Sequence, residues 1–154
     1  MRDLTRTAGT VLSTAMSATY SPRSNFGPPP DNDDISAMAE RALSAIPARL
    51  AMHVRGVSIA VEDMPDEETM DELDIESAWE LTGVYRGTPL TQRSVADIAR
   101  QPDLIVLYRE PILLEWIETG EDLYRLVRNV LIHEIAHHFG FSDQDISILE
   151  EEMD

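Results

Sequence analysis

Apolar positions follow two periods along this chain, and the change from one to the other marks out its segments. Behind Asp31, the residues Ile35, Met38, Ala39, Ala42, Leu43 and Ile46 recur at three- and four-residue spacing, which predicts an amphipathic helix. Asp31, Asn32, Asp33 and Asp34 supply cap candidates and first-turn acids. Pro47 sets an end or a kink between Ile46 and Leu50. Arg55 to Glu62 alternates with period two and predicts a strand. Leu81 to Gly87 predicts a short second strand that Thr88-Pro89-Leu90 continues, and 91–100 reads as a turn or a loose helical segment. Leu104 to Tyr108 is apolar throughout and predicts a third strand. Pro111 cannot donate to a ladder, so this strand is expected to stop by Glu110 or to lie at an edge. Ile112 to Ile117 reads as a helical turn.

Thr119 to Asp122 carry cap chemistry for one more helix. Leu123, Leu126, Val127, Val130 and Leu131 form its apolar face, and Arg125, Arg128 and Asn129 are expected to point outward. From Val130 to Phe139 every residue except His133, Glu134, His137 and His138 is apolar. The second half of this helix is therefore expected to be buried on all sides. Gln144 to Glu151 closes the chain as a further short segment.

Composition changes the picture at the N-terminus. Residues 1–30 are rich in Thr, Ser, Ala and Pro and carry Arg2, Arg6 and Arg23 against Asp3 alone. They read as a disordered tail ending in the stiff spacer Pro28-Pro29-Pro30, with one domain over 31–154. A secretion signal is the weaker reading of this tail, because Thr10, Ser13, Thr14 and Ser17 interrupt its apolar middle. The location expected is the cytoplasm. The 154 residues contain no Cys, and all basic residues are Arg. Disulfides, thiolate metal sites and Cys nucleophiles are excluded. A net charge of -17 argues against nucleic-acid and membrane partners and favours basic substrates or partners. Ten acids and no base fall between residues 62 and 80. They read as a solvated loop with a short helix around Ser77 to Leu81. Without the D-x-D-x-D-G order, a calcium loop is not supported. The oligomeric state is not legible in the chain.

Four ionisable side chains within six residues of an apolar helix need a common partner, because unpaired burial costs several kcal/mol. His133 and His137 stand four apart and share a helix face, where two imidazoles can hold one metal ion. Gly140 follows, and a Gly there can take the left-handed conformation that ends a helix and turns the chain back. That turn would carry Asp143 towards the two His, with Asp145 as the reserve. The expectation is one Zn²⁺ per chain held by His133, His137 and Asp143, with an open fourth position, and Glu134 as general base. His138 lies about 100° round the helix from His137 and cannot share its face. His53 reads as structural. Tyr108, Arg109 and Tyr85 are fold residues first and oxyanion helpers second. A peptide or protein substrate would add as a strand to a sheet edge, for which Leu104 to Tyr108 is the candidate.

The stretch HEIAHHFGFSD resembles the HExxHxxGxxH/D signature of the metzincin side of the zincin metallopeptidases. Taken with VSIAVED, LTGVYRGTPL, PDLIVLYREPIL and DLYRLVRNVLIHEIAHHFGFSDQDI in order, the chain resembles the bacterial minimal zincin-like metallopeptidases over about 90 residues, counted from these pieces. The resemblance implies an α+β fold of a few helices, the HExxH helix among them, on a small mixed β-sheet. It also implies two His and a nearby Asp as metal ligands. Two other readings stand beside a zinc peptidase. One is a zincin-shaped module that holds metal for binding or regulation and cleaves nothing. The other is an Fe(II) oxygenase using two His and a carboxylate, in which Glu134 has no task.

Overall fold

A computed structural model describes residues 27–87 and 103–154. Most of the expected tail and the segment 88–102 therefore lie outside the described residues. Along the chain run α1 (Asn32–Ala45), α2 (Ala48–Ala51), β1 (Ser58–Glu62), α3 (Glu67–Glu72), a 3₁₀ turn (Ala78–Glu80) and β2 (Gly83–Arg86). They are followed by β3 (Leu104–Tyr108), α4 (Arg109–Thr119), α5 (Leu123–His138) and α6 (Asp143–Met153). This is the expected α+β arrangement, a small mixed sheet with helices packed on it.

Helix α1 starts where its caps predict. Asp31 accepts from the Asp34 N–H at 2.8 Å, and the Asp34 carboxylate accepts from the Asp31 N–H at 2.9 Å. This reciprocal pair satisfies two otherwise free amides. The helix buries Ile35, Ala39 and Ala42 against α5 and β1. Arg41 adds a cation–π contact, 4.1 Å from the centre of the Tyr124 ring on α5. The acidic stretch is more ordered than a solvated loop. Asp66 caps α3 by accepting from the Thr69 N–H, Glu72 pairs with Arg86, and the later segment is a 3₁₀ turn rather than a helix.

The strand order is β1-β3-β2, with β1 parallel and β2 antiparallel to β3. The expectation that Leu104 to Tyr108 is an edge is therefore wrong: β3 is the central strand. Ile105 and Leu107 enter the core beneath the helices, while Val106 and Tyr108 pack with Val84 on the opposite face. A strand buried on both faces is apolar throughout, because neither side meets water. Pro111 does not mark an edge either. It sits in the first turn of α4, where its missing N–H has no intrahelical partner to lose, so a full helix follows where a single turn was expected.

Helix α5 lies among α1, β2, β3, α4 and α6. Val127, Leu131, Ile132, Ile135 and Ala136 are fully buried. Burial on all sides does not hold, however, because His133 and Glu134 are half-buried and His137 is exposed along one stripe. Arg128 also departs from expectation. It is only 5% exposed and donates to the Met153 carbonyl, the Asp154 carboxylate and Asn129 Oδ1. An inward Arg in an apolar seam is tolerated when its guanidinium donors find oxygens. Here they fasten the end of α6 to the start of α5. Among the described residues no helix is long and apolar enough to cross a membrane.

Candidate metal centre

The end of α5 is set by Gly140, whose φ is +81°. The Gly140 N–H donates to the His137 carbonyl at 3.1 Å and the Phe141 N–H to the Ala136 carbonyl at 2.9 Å. That pair of bonds closes the helix and reverses the chain. A Cβ at this position would meet nothing within 4 Å, so the left-handed backbone alone calls for Gly. The chain re-enters a helix at once. Ser142 accepts from the Asp145 N–H, and Asp145 accepts from both the Ser142 N–H and hydroxyl. Those bonds hold the Asp145 carboxyl below the usual carboxylate range. Asp145, the reserve ligand, thus faces its own helix start.

Helix α6 therefore runs back along α5, burying Ile146 and Leu149. Its N-terminal Asp143 brings Oδ1 to 3.1 Å from His137 Nε2. Two turns later, on the same face, Glu150 brings Oε1 to 2.9 Å from His133 Nε2. The two imidazole centroids stand 5.8 Å apart. Among the described residues no three donors are gathered around one point. They stand instead as two imidazole–carboxylate pairs. The carboxylates differ in setting: the Asp143 side chain is 98% exposed and that of Glu150 only 23%.

Glu134 sits beside these pairs. The backbone amide of Tyr85 on β2 lies beside its carboxylate and favours the charged form. Burial pushes its carboxyl up to about 7, while neighbouring His137 and the Tyr85 amide pull the other way. Helix α5 approaches β2 closely because Gly83 has no side chain. A Cβ there would come 3.1 Å from Val130 Cγ1 and 3.2 Å from Leu107 Cδ2. A cleft of about 440 Å³ opens over this face, lined by His133, Glu134, His137 and Glu150 together with Thr82, Val130, Glu115 and Glu121.

The remaining candidates lie off the cleft. His138 stacks on the Tyr85 ring with centroids 3.9 Å apart, as its place round the helix requires. The Tyr85 hydroxyl donates to Asp103 at 2.7 Å. His53 stacks on Phe139 and meets Phe141 edge-on, a packing role. Arg109 donates to the Pro30 carbonyl at 2.6 Å, and Tyr108 is buried beside Thr69 and Arg86, its phenol pushed up by burial. None of Tyr85, Tyr108 and Arg109 has a side chain lining the cleft. Sequence reasoning missed Glu150 and the Tyr85 amide. The signal for Glu150 was its seven-residue spacing from Asp143, which places both on one side of a helix.

Two imidazoles and two carboxylates, in a chain without thiols, form a donor set that suits Zn²⁺. The residues present fit such a metal, although the pairs must open to receive it. The profile of the zincin-like metallopeptidase family matches residues 54–153, from just before β1 to the end of α6. No curated protein matches the chain.

Proposed function

This chain belongs to the zincin-like metallopeptidase family, and from that premise we propose that it is a zinc-dependent peptidase acting through Glu134. His133, His137 and Asp143 would hold one Zn²⁺. Bound there, the metal supplies a Lewis acid that acidifies water and polarises a carbonyl. Glu134 takes the proton from the attacking water and returns it to the leaving amine. The observation that carries this reading is the setting of Glu134. It is a half-buried carboxyl one residue from His133, in the lining of the cleft, and in the metal-free chain burial raises it to about 7. A carboxyl that burial makes more basic can both take a proton and give it back, and a bound metal would draw its value down again.

The substrate strand is assigned to β2 rather than β3. Among the described residues β2 is an edge strand, it lies against α5, and Thr82 just before it lines the cleft. An extended peptide pairing with that edge would cross the His133–His137 face. Glu115, Glu121 and Glu150 in the lining favour a substrate carrying positive charge over one carrying negative charge. The test is Glu134→Gln. It is expected to keep its zinc and to cleave a peptide mixture about 10²–10⁴-fold more slowly than wild type. Equal rates would end the peptidase reading.

A further inference from the structure

The α5–α6 pair is pinned at both ends. At one end the Gly140 turn joins the helices; at the other, Arg128 and Arg125 hold Asp154. Between those anchors the facing positions are fixed, and Glu150 is the residue that meets His133. Its neighbour on the outer face, Glu152, is drawn away to Arg49 at 3.1 Å. Glu150 instead turns inward, lines the same cleft as His133, Glu134 and His137, and is far less exposed than Asp143.

We propose that Glu150 is a protein donor to the metal held by His133 and His137, beside Asp143. This rests on the reading of the centre given above. The contact is made at His133 Nε2, which has one bonding direction available in the ring plane. A metal held at that nitrogen would replace the hydrogen bond and would find the Glu150 oxygen within reach. Two ligands of one tetrahedral zinc, each at about 2.0–2.2 Å, stand roughly 3.3–3.6 Å apart. Within each pair the 2.9 Å and 3.1 Å separations therefore need only a few tenths of an ångström of opening, and the two pairs, which share no common point among the described residues, must also close on one another. With Glu150 bound, the resting centre has two imidazoles and two carboxylates. Four protein ligands make a closed centre, whereas three leave a position for water. Glu150 would then govern whether that position is open to water.

The full-length protein is titrated with Zn²⁺ against a competing chelator, and separately loaded with Co²⁺ for its visible absorption. Glu150→Gln keeps the side-chain size and the helix; Glu151→Gln removes the same charge from an exposed neighbour. The expected result is a 10- to 100-fold weaker zinc affinity and a changed Co²⁺ spectrum for Glu150→Gln, with Glu151→Gln close to wild type in both. Unchanged affinity and spectrum in Glu150→Gln, with wild type still binding zinc, overturn the donor role and leave the metal centre standing. Weaker affinity with an unchanged Co²⁺ spectrum also overturns it, since Glu150 would then act through charge alone. Wild type that binds no zinc overturns the metal reading itself, and this inference with it.

Discussion

His133, Glu134 and His137 ride on a helix packed among three other helices and two strands, whereas Asp143 and Glu150 ride on a helix seated chiefly against α5 alone. The first group is held by the core: Ile132, Ile135 and Ala136 beside them are fully buried, and Glu134 lies against the backbone of Tyr85 on β2. The second group depends on a turn, a cap and a guanidinium tether. Glu134 and the two imidazoles are thus positioned by the core itself, while Asp143 and Glu150 are positioned by the register of a helix pair. That difference separates what the metal must organise from what it finds ready.

The largest effect expected lies on the ready-made side. His137→Ala should lose zinc by more than the ~10–100-fold that loss of a supporting contact costs, read as metal per chain after purification without added zinc. A variant that keeps a full complement would mean that the α5 side is not the anchor.

Next comes the cost of holding Glu134 in place. Its folded value of about 7 lies above the ordinary 4.5, so between those values the folded protein binds the extra proton. Its contribution is fully present below about pH 4.5 and is lost as pH rises through 7. In metal-free protein, Glu134→Gln should remove that loss. The variant should exceed wild type at pH 8 by on the order of 2–3 kcal/mol and match it near pH 4, with His137 the neighbour that moderates the effect. Denaturant unfolding at the two pH values checks this, and a difference that ignores pH would contradict it.

On the α6 side the contrast falls between two aspartates two residues apart. Asp143→Ala should weaken zinc binding while leaving unfolding almost unchanged, because its side chain is exposed. Asp145→Ala should lower the melting temperature by removing half of a capping box and leave zinc affinity nearly intact. The reverse pattern would exchange their roles. The smallest effect is expected at Gly140, where Ala meets no clash but must adopt φ +81°. About 1 kcal/mol of stability should be lost, visible as a lower melting temperature. A larger relative loss in zinc affinity than in stability would show that the turn serves the carboxylates more than the fold.

Much of this was legible in the chain, and the parts that were share a cause. Leu104 to Tyr108, the α1 cap at Asp31, the helix stop at Gly140 and the shared face of His133 and His137 are consequences of neighbours within a few residues. Backbone sterics and helical or strand periodicity reach that far. The misreadings share a cause too. An all-apolar strand is central or at an edge according to which segments flank it. Arg128 reads as outward until the end of α6 supplies oxygens at its guanidinium. Pro111 reads as the mark of an edge until the first turn of a helix takes it in, although the strand does stop before Glu110 as expected.

The residues in hand were therefore enough to place two imidazoles and a neighbouring carboxylate on one helix, because a four-residue spacing and an adjacent carboxylate are properties of the helix itself. Which carboxylates come to meet them is a property of two helices. It depends on where the turn at Gly140 aims α6 and on how far Arg128 draws its end along α5. Those distances are set by packing between segments remote from one another, and so Glu150 beside His133 emerges only once the chain has folded.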